Sequence, residues 1–114
     1  MEISLTDYLD EIDGKILTEN VNPEKIFVND GYVSDLLSDV MGNAKAGQVW
    51  ITIMRHLNVI AVASLTNLSA IVFAKNMIPE PTVISKANEE GICLISSPLS
   101  AFVLAGKLYK KLNL

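Results

Sequence analysis

Hydrophobic spacing near the N-terminus predicts one short helix followed by short strands. Apolar residues at helical spacing run from Leu5 to Ile12, where Ser4 or Thr6 can cap the helix and Gly14 can end it. Two β-type runs follow, over residues 15–18 and 25–28, separated by a loop that contains Pro23. The N-terminal third is therefore expected to contribute small, peripheral elements.

A turn and a second helix are predicted next. Asn29-Asp30-Gly31 is typical of a turn, and Ser34 is placed to cap the helix that follows. The apolar face of this helix carries Leu36, Leu37, Val40 and Met41.

The second half of the chain alternates strands and helices more regularly. Strands are predicted over residues 49–53, 70–74 and 92–96, the middle one entirely apolar, as in strands covered on both faces. Asn58 can cap a helix over 59–65, Gly91 can end a helix over 82–90, and Ser97-Pro98 can begin the last helix. Trp50 is expected in the core, as are Phe102 and Tyr109, with Gly106 allowing one close backbone approach.

This order predicts the fold class. Alternating strands and helices form βαβ crossovers, which give a mainly parallel sheet flanked by helices. The expected fold is α/β: a single small three-layer domain over residues 1–114, with the N-terminal third adding a helix and short strands to one edge.

Composition excludes several classes of protein. Half of the 114 residues are hydrophobic and only ten are Gly or Pro, so disordered and collagen-like chains are excluded. The net charge of −4 argues against nucleic-acid binding. The acidic N-terminus does not resemble a signal peptide, and the longest apolar stretch, about residues 59–65, is too short to span a membrane. A cytoplasmic protein is expected, with its one cysteine, Cys93, buried as a small apolar residue.

The charges are unevenly distributed along the chain. Residues 1–40 carry ten carboxylates against two lysines, a local charge of −8, whereas residues 41–114 carry a local charge of +4. The two segments can attract each other within one fold, or an acidic face can meet a basic face of a second copy. Apolar composition in so small a domain also favours a homodimer.

Motifs for catalysis are absent from the sequence. It contains no Walker phosphate loop, no G-x-G-x-x-G fingerprint, no C-x-x-C pair and no G-x-S-x-G element. The single histidine, His56, follows Arg55, whose charge opposes a metal ion. We therefore expect no enzymatic activity, no cofactor and no metal.

The loops that follow the three strands predicted over residues 49–53, 70–74 and 92–96 form the best candidate for a ligand site. In parallel sheets, ligands bind outside the carboxyl ends of the strands, beside helix N-termini that favour anions. The six candidate residues in these loops are Arg55, His56, Asn58, Lys75, Asn76 and Ser97. They provide cations, an imidazole and hydrogen-bond donors for a phosphate or carboxylate. The alternative is that these polar side chains serve only as turns and helix caps.

The runs over residues 58–73 and 80–96, with the final helical segment, resemble a DRTGG domain, which is similar to the N-terminal domain of HPr kinase/phosphorylase. The family is named for an Asp-Arg element after one strand and a Thr-Gly-Gly element after the next. The corresponding segments here are Met54-Arg-His-Leu57 and Ala74-Lys-Asn76, so neither motif is intact. The resemblance implies a non-catalytic regulatory module that dimerises, in a family where some members bind adenine nucleotides.

Two functional hypotheses follow. The first is a homodimeric regulatory module that senses an anionic small molecule, such as a nucleotide or phosphorylated metabolite. The second is a protein–protein adaptor, for example for a signalling kinase or redox complex, with no small-molecule ligand.

Overall fold

A five-stranded mixed sheet forms the centre of the protein in the computed structural model, which describes residues 1–114. The strands are β1 (Ile3–Ser4), β2 (Lys15–Ile16), β3 (Phe27–Val28), β4 (Asp30–Val33), β5 (Gln48–Thr52), β6 (Ala70–Phe73) and β7 (Leu94–Ser96). The helices are α1 (Leu5–Ile12), α2 (Leu37–Asn43), α3 (Asn58–Thr66), α4 (Pro81–Glu90) and α5 (Ala101–Lys111), with a 3₁₀ turn at Pro23–Lys25.

The order of strands across the sheet is β2-β7-β6-β5-β4, and β1 pairs separately with β3. Strands β4 to β7 are parallel and follow one another directly, each pair being joined by a helix, which confirms the predicted βαβ units. Strand β2 is antiparallel to β7, with Lys15 opposite Ser96. The N-terminal third therefore supplies both edges of the sheet, so the prediction that it adds to one edge was wrong.

Helices cover both faces of the sheet, which confirms the three-layer α/β architecture. Alternate residues of a strand point to opposite faces. On β5, Trp50 packs in the cluster formed with α2, α3 and α4, whereas Val49 and Ile51 pack in the cluster formed with α1 and α5. The sheet is thus buried on both sides, which explains the continuous apolar sequence of β6.

The polar atoms of the two large buried aromatic side chains are hydrogen-bonded. Trp50 is fully buried, as predicted, and its Nε1–H donates to the carbonyl of Ser34 at 2.8 Å. The Tyr8 hydroxyl donates to the carbonyl of Leu104 at 2.8 Å. Cys93 is buried, also as predicted, and burial raises the pKa of its thiol to about 11. This thiol is protonated and unreactive at neutral pH.

The predicted turn at Asn29-Asp30-Gly31 was wrong, because Asp30 and Gly31 belong to β4. They pair with Gln48 and Val49 of β5, and Oδ2 of Asp30 accepts a hydrogen bond from Nε2 of Gln48 at 2.8 Å. Gly31 leaves space for a packed side chain rather than forming a turn, since a Cβ there would lie 2.7 Å from Cδ2 of Leu108, which would have to shift. Tertiary contacts therefore override the local turn preference.

Several predicted helix ends differ from the observed ones. Ser4 does cap α1, accepting from the N–H of Thr6 at 3.3 Å, but Asp13 rather than Gly14 takes the left-handed conformation that ends it. Ser34 accepts from the N–H of Leu36 before α2 begins, so it does not cap that helix. Gly91 ends α4 at φ 70°, as predicted.

The start and outer face of α5 also differ from the prediction. Ser100, not Ser97, caps the helix, accepting from the N–H of Val103 at 3.2 Å. Phe102 and Tyr109 are exposed, and the buried residues of α5 are Leu104 and Leu108. The expected core stripe through Phe102, Gly106 and Tyr109 was therefore wrong: α5 is turned so that a different stripe meets the sheet. None of the helices combines the length and the hydrophobicity that a membrane-spanning helix requires.

Candidate functional site

A pocket of about 400 Å³ opens between the loop after β5 and the start of α4. It lies beyond the carboxyl ends of β5 and β6, where parallel sheets bind ligands. Its lining residues come from two segments of the chain: Arg55, His56, Leu57, Ile78, Glu80, Thr82 and Val83. The structure thus brings two of the six predicted site residues, Arg55 and His56, into one concave site.

A carboxylate on the neighbouring loop fixes the segment that carries Arg55. Oδ1 of Asp35 accepts from the Thr52 hydroxyl at 2.7 Å and from the N–H of Ile53 at 3.0 Å. The Thr52 oxygen in turn accepts from the N–H of Met54 at 3.0 Å. The backbone is therefore held up to the residue before Arg55.

The imidazole of His56 contributes to the start of α3. Its Nδ1 accepts from the N–H of Asn58 at 3.1 Å, so in the neutral ring the proton sits on Nε2. The prediction that Asn58 caps this helix was wrong, because Asn58 is its first residue and the N-cap position is occupied by Leu57, which makes no side-chain hydrogen bond to the helix. The hydrogen bond to Nδ1 leaves the Nε2–H donor of His56 for another partner.

The opposite wall of the pocket is the beginning of α4. Glu80 occupies the N-cap position without a side-chain hydrogen bond to the helix, and Pro81 follows in the first turn. The N–H groups of Val83 and Ile84 both donate to the carbonyl of Glu80, at 2.9 and 3.3 Å. Proline has no N–H, so Thr82 is left as the unpaired donor of the first turn.

Lys75 and Asn76 lie outside this pocket, on a tight turn after β6. Both residues have φ of 58°, and the N–H of Met77 donates to the carbonyl of Ala74 at 3.1 Å. The N–H groups of Lys75 and Asn76 donate across to the carbonyls of Leu99 and Ser97 at 2.9 and 2.8 Å. The turn therefore joins the β6 and β7 loops, and both side chains are exposed.

The last two predicted site residues, Ser97 and Asn58, lie outside the pocket of Arg55 and His56. Ser97 is fully buried, and its hydroxyl donates to the carbonyl of Ile12 at 2.6 Å and accepts from the N–H of Leu99 at 3.2 Å. Asn58 lines a separate groove between α3 and α4. Neither shares the pocket of Arg55 and His56.

Sequence reasoning missed the α4 side of the pocket, namely Ile78, Glu80, Thr82 and Val83. The sequence does contain one signal for this side of the pocket. Glu80-Pro81-Thr82 marks a helix N-terminus that follows a predicted strand, and such termini carry free N–H donors. What the sequence does not reveal is that the turn at Lys75 and Asn76 faces β7 while the following residues return toward β5.

The chemistry of the pocket is mixed. The guanidinium of Arg55 and the donors of His56 and Thr82 suit an anionic group, whereas the carboxylate of Glu80 accepts hydrogen bonds from a ligand. Leu57, Ile78 and Val83 add apolar surface. No group of three or more His, Cys, Asp or Glu side chains is placed to hold a metal ion. The pocket therefore suits a small molecule that has an anionic end and an apolar body carrying a hydrogen-bond donor.

No protein-family model and no curated protein match the sequence. A solved structure does match: the CBS and DRTGG domains of the regulatory region of Clostridium perfringens pyrophosphatase, complexed with its activator, diadenosine tetraphosphate. The match covers 92% of this chain at a TM-score of 0.71 and 17% sequence identity, and it spans 45% of that chain. The fold is DRTGG-like.

The resemblance stated from the sequence is thus confirmed at the level of the fold. The segment that the sequence resemblance places at the Thr-Gly-Gly element, Ala74-Lys75-Asn76, forms the tight turn after β6. Lys75 and Asn76 have the positive φ that glycine adopts without steric cost.

Proposed function

We propose that this DRTGG-like domain is a non-catalytic, homodimeric regulatory module that binds an anionic small molecule. The observation that supports this proposal most is the pocket in which Arg55 and His56 face the start of α4. The structural match to the regulatory region of an enzyme, complexed with a nucleotide activator, supports the same class of function. Fold likeness alone fixes no function, so the residues of the pocket define the ligand class.

The pocket favours a ligand of low charge. Arg55 and Glu80 carry opposite fixed charges, so the lining has little excess positive charge to balance several phosphates. The volume of about 400 Å³ is near the lower end of small-molecule sites. A nucleoside monophosphate or a phosphorylated metabolite of similar size meets both conditions: its phosphate binds Arg55 and His56, and its body lies on Leu57 and Ile78.

A thermal-shift screen with adenosine, adenosine monophosphate, adenosine triphosphate and inorganic phosphate tests this proposal. A ligand at 100 times its dissociation constant stabilises the folded state by about 2.7 kcal/mol. The monophosphate is expected to raise the Tm more than adenosine does. Arg55→Ala should abolish the difference, and Lys25→Ala, a change of an exposed cation in another region, should preserve it.

Glu80 supplies a second, opposite test. Glu80→Gln removes the negative charge from the pocket and keeps the size of the side chain, so binding of the monophosphate should strengthen severalfold. If no compound raises the Tm, or if Arg55→Ala leaves the shift intact, the ligand proposal is refuted.

A protein–protein adaptor is the second candidate function. The groove between α3 and α4, about 460 Å³ in volume, has exposed Leu57 and Leu65 on one side and Lys86 and Glu90 on the other. Such a groove suits an amphipathic helix of a partner protein. Affinity capture that depends on Leu65 but not on Arg55, together with a negative ligand screen, would favour this function over ligand sensing.

A further inference from the structure

Helix α3 exposes an apolar surface close to the candidate pocket. None of its nine residues is charged, and Leu65 is 71% exposed. Helices on the surface of a protein normally carry charged or polar side chains on their outer face. The groove between α3 and α4, about 460 Å³ in volume, lies beside this surface, and its lining includes the buried Ile60. The surface is therefore both apolar and concave.

This groove adjoins the pocket that contains Arg55. Leu57 lines both of them. On α4, Thr82 lines the pocket, whereas Lys86 and Glu90, four and eight residues later, line the groove. Residues that are four apart lie on one face of a helix, so a single face of α4 forms a wall of both.

The wall on the α3 side is continuous in the same way. Leu57, Ala61 and Leu65 are spaced four residues apart, and all three line the groove. Both helices begin at the pocket, because each follows the carboxyl end of a parallel strand, β5 or β6. The pocket and the groove therefore form one cleft, which runs along α3 and α4. From Thr82 to Glu90 it extends about 12 Å, at about 1.5 Å per helical residue.

The two ends of this cleft differ in charge. At the pocket end, the guanidinium of Arg55 takes part in none of the ion pairs of the protein. At the far end, Nζ of Lys86 lies 3.3 Å from Oε1 of Glu90 and 3.5 Å from Oε2 of Glu89, so the net charge there is negative. An anionic group is therefore attracted to the pocket end, where Glu80 limits it to low charge. The aliphatic stem of Lys86 adds apolar surface to the groove.

We infer that the ligand of this domain is an elongated anionic amphiphile, whose acidic head group binds at Arg55 and whose apolar chain lies in the groove between α3 and α4. This inference rests on the proposed function, which places an anion in the pocket, and it names the class of molecule that carries the anion. A nucleoside monophosphate would fill only the pocket end. A partner helix would cover the groove without using Arg55, so the continuity of the cleft favours one molecule that occupies both parts.

Calorimetric titration of the full chain with butyl, hexyl and octyl phosphate, each below its micelle concentration, tests the inference. The affinity should rise about fourfold with each pair of methylenes added, since a half-buried methylene contributes about half of its full transfer energy. Arg55→Ala should weaken the binding of all three compounds at least tenfold, because they share the head group.

Ser64→Phe separates the contribution of the chain from that of the head group. Ser64 is exposed on α3 and lines the groove, so a phenyl ring there obstructs the chain and leaves the pocket open. Octyl phosphate should then bind no better than butyl phosphate, whose unchanged affinity will show that the variant folds. Ser85→Phe is the matched control, because Ser85 is an exposed serine of α4 that lines neither the pocket nor the groove. It should preserve the dependence on chain length.

The outcomes distinguish this inference from the proposed function. An affinity that does not depend on chain length, or a dependence that survives Ser64→Phe, overturns the amphiphile and leaves the anion site standing. Octyl phosphate that binds Arg55→Ala as tightly as the wild type also overturns it, because the head group then lies elsewhere. Failure of all three alkyl phosphates while adenosine monophosphate binds overturns the inference alone. Failure of all four compounds overturns the anion site as well.

Discussion

The carboxylate of Asp35 is 2.7 Å from the hydroxyl of Thr52, and this hydrogen bond joins the loop that follows β4 to the last residue of β5. The same carboxylate oxygen accepts from the N–H of Ile53 at 3.0 Å. Thr52 is buried at the end of its strand, whereas Asp35 is exposed. An exposed acidic side chain thus holds the backbone that leads to Arg55, at the entrance to the candidate site.

Removing this carboxylate is expected to loosen the site and lower stability. Asp35→Ala leaves the Thr52 hydroxyl and the N–H of Ile53 without their acceptor, at a cost of about 1–2 kcal/mol in the free energy of unfolding. Urea denaturation measures this loss. Asp10→Ala, an exposed carboxylate on α1 without these bonds, is the control and should change stability by less than about 0.5 kcal/mol. Equal effects of the two changes would contradict the anchoring role of Asp35.

Lys75 is expected to be a site where glycine stabilises the protein. Its φ of 58° brings its Cβ close to the backbone, and glycine avoids this contact. We expect Lys75→Gly to raise the free energy of unfolding by about 0.5–1 kcal/mol. Lys75→Ala keeps the Cβ and should have little effect. Lys107→Gly, the same change within α5, should instead lower stability by about 1 kcal/mol. A loss of stability in Lys75→Gly would refute the argument from φ.

Alanine substitutions at Gly31 and at Gly106 are expected to change the free energy of unfolding in opposite directions. A Cβ at position 31 would lie 2.7 Å from Cδ2 of Leu108, which is itself buried against the sheet. Gly31→Ala should therefore lower the free energy of unfolding by about 1–3 kcal/mol through overpacking. Gly106→Ala should raise it by about 1 kcal/mol in dilute solution, because alanine favours the helix. Denaturation of both variants at low protein concentration measures the two changes in the free energy of unfolding.

Two buried acids make the protein less stable at alkaline pH. Burial raises the pKa of the Cys93 thiol to about 11, opposed by a hydrogen bond with Thr18, and burial also raises the pKa of Tyr8 well above its ordinary value. In the unfolded chain both groups ionise at lower pH. The stability from the neutral thiol is therefore complete below about pH 9 and is lost as the pH rises through about 11.

Cys93→Ala isolates the contribution of the thiol to the loss of stability at alkaline pH. The variant should lose about 2 kcal/mol less stability than the wild type between neutral pH and about pH 10.5. Urea denaturation at both pH values gives the comparison, and each protein serves as its own reference at neutral pH. Identical losses in the two proteins would show that Cys93 is not buried as a neutral thiol.

The central βαβ units were predictable because their signals are strong and local. Strands β5, β6 and β7 are apolar or β-branched runs, and Gly91 is a clear helix end. Strand β4 was missed because Asp30 and Gly31 favour a turn in isolation. The contacts that make them a strand, with Gln48 and Leu108, come from residues far along the chain.

The candidate site was predictable only in part, for the same physical reason. The loop of Arg55 and His56 follows a strongly predicted strand, so its position at the sheet edge could be inferred. Ser97 forms its hydrogen bond with Ile12, 85 residues away, and no local pattern reports such a contact. The turn at Lys75 likewise depends on carbonyls of the next loop. Long-range hydrogen bonds decided which predicted residues share the pocket.

An NMR titration of the ¹⁵N-labelled protein with adenosine monophosphate tests most directly whether a ligand binds in the pocket of Arg55 and His56. Binding at this pocket predicts saturable shifts of the backbone amides of Arg55, His56 and Thr82, smaller shifts with adenosine, and none in the Arg55→Ala variant. Saturable shifts that lie elsewhere and survive Arg55→Ala would contradict it, as would a spectrum unchanged up to millimolar nucleotide.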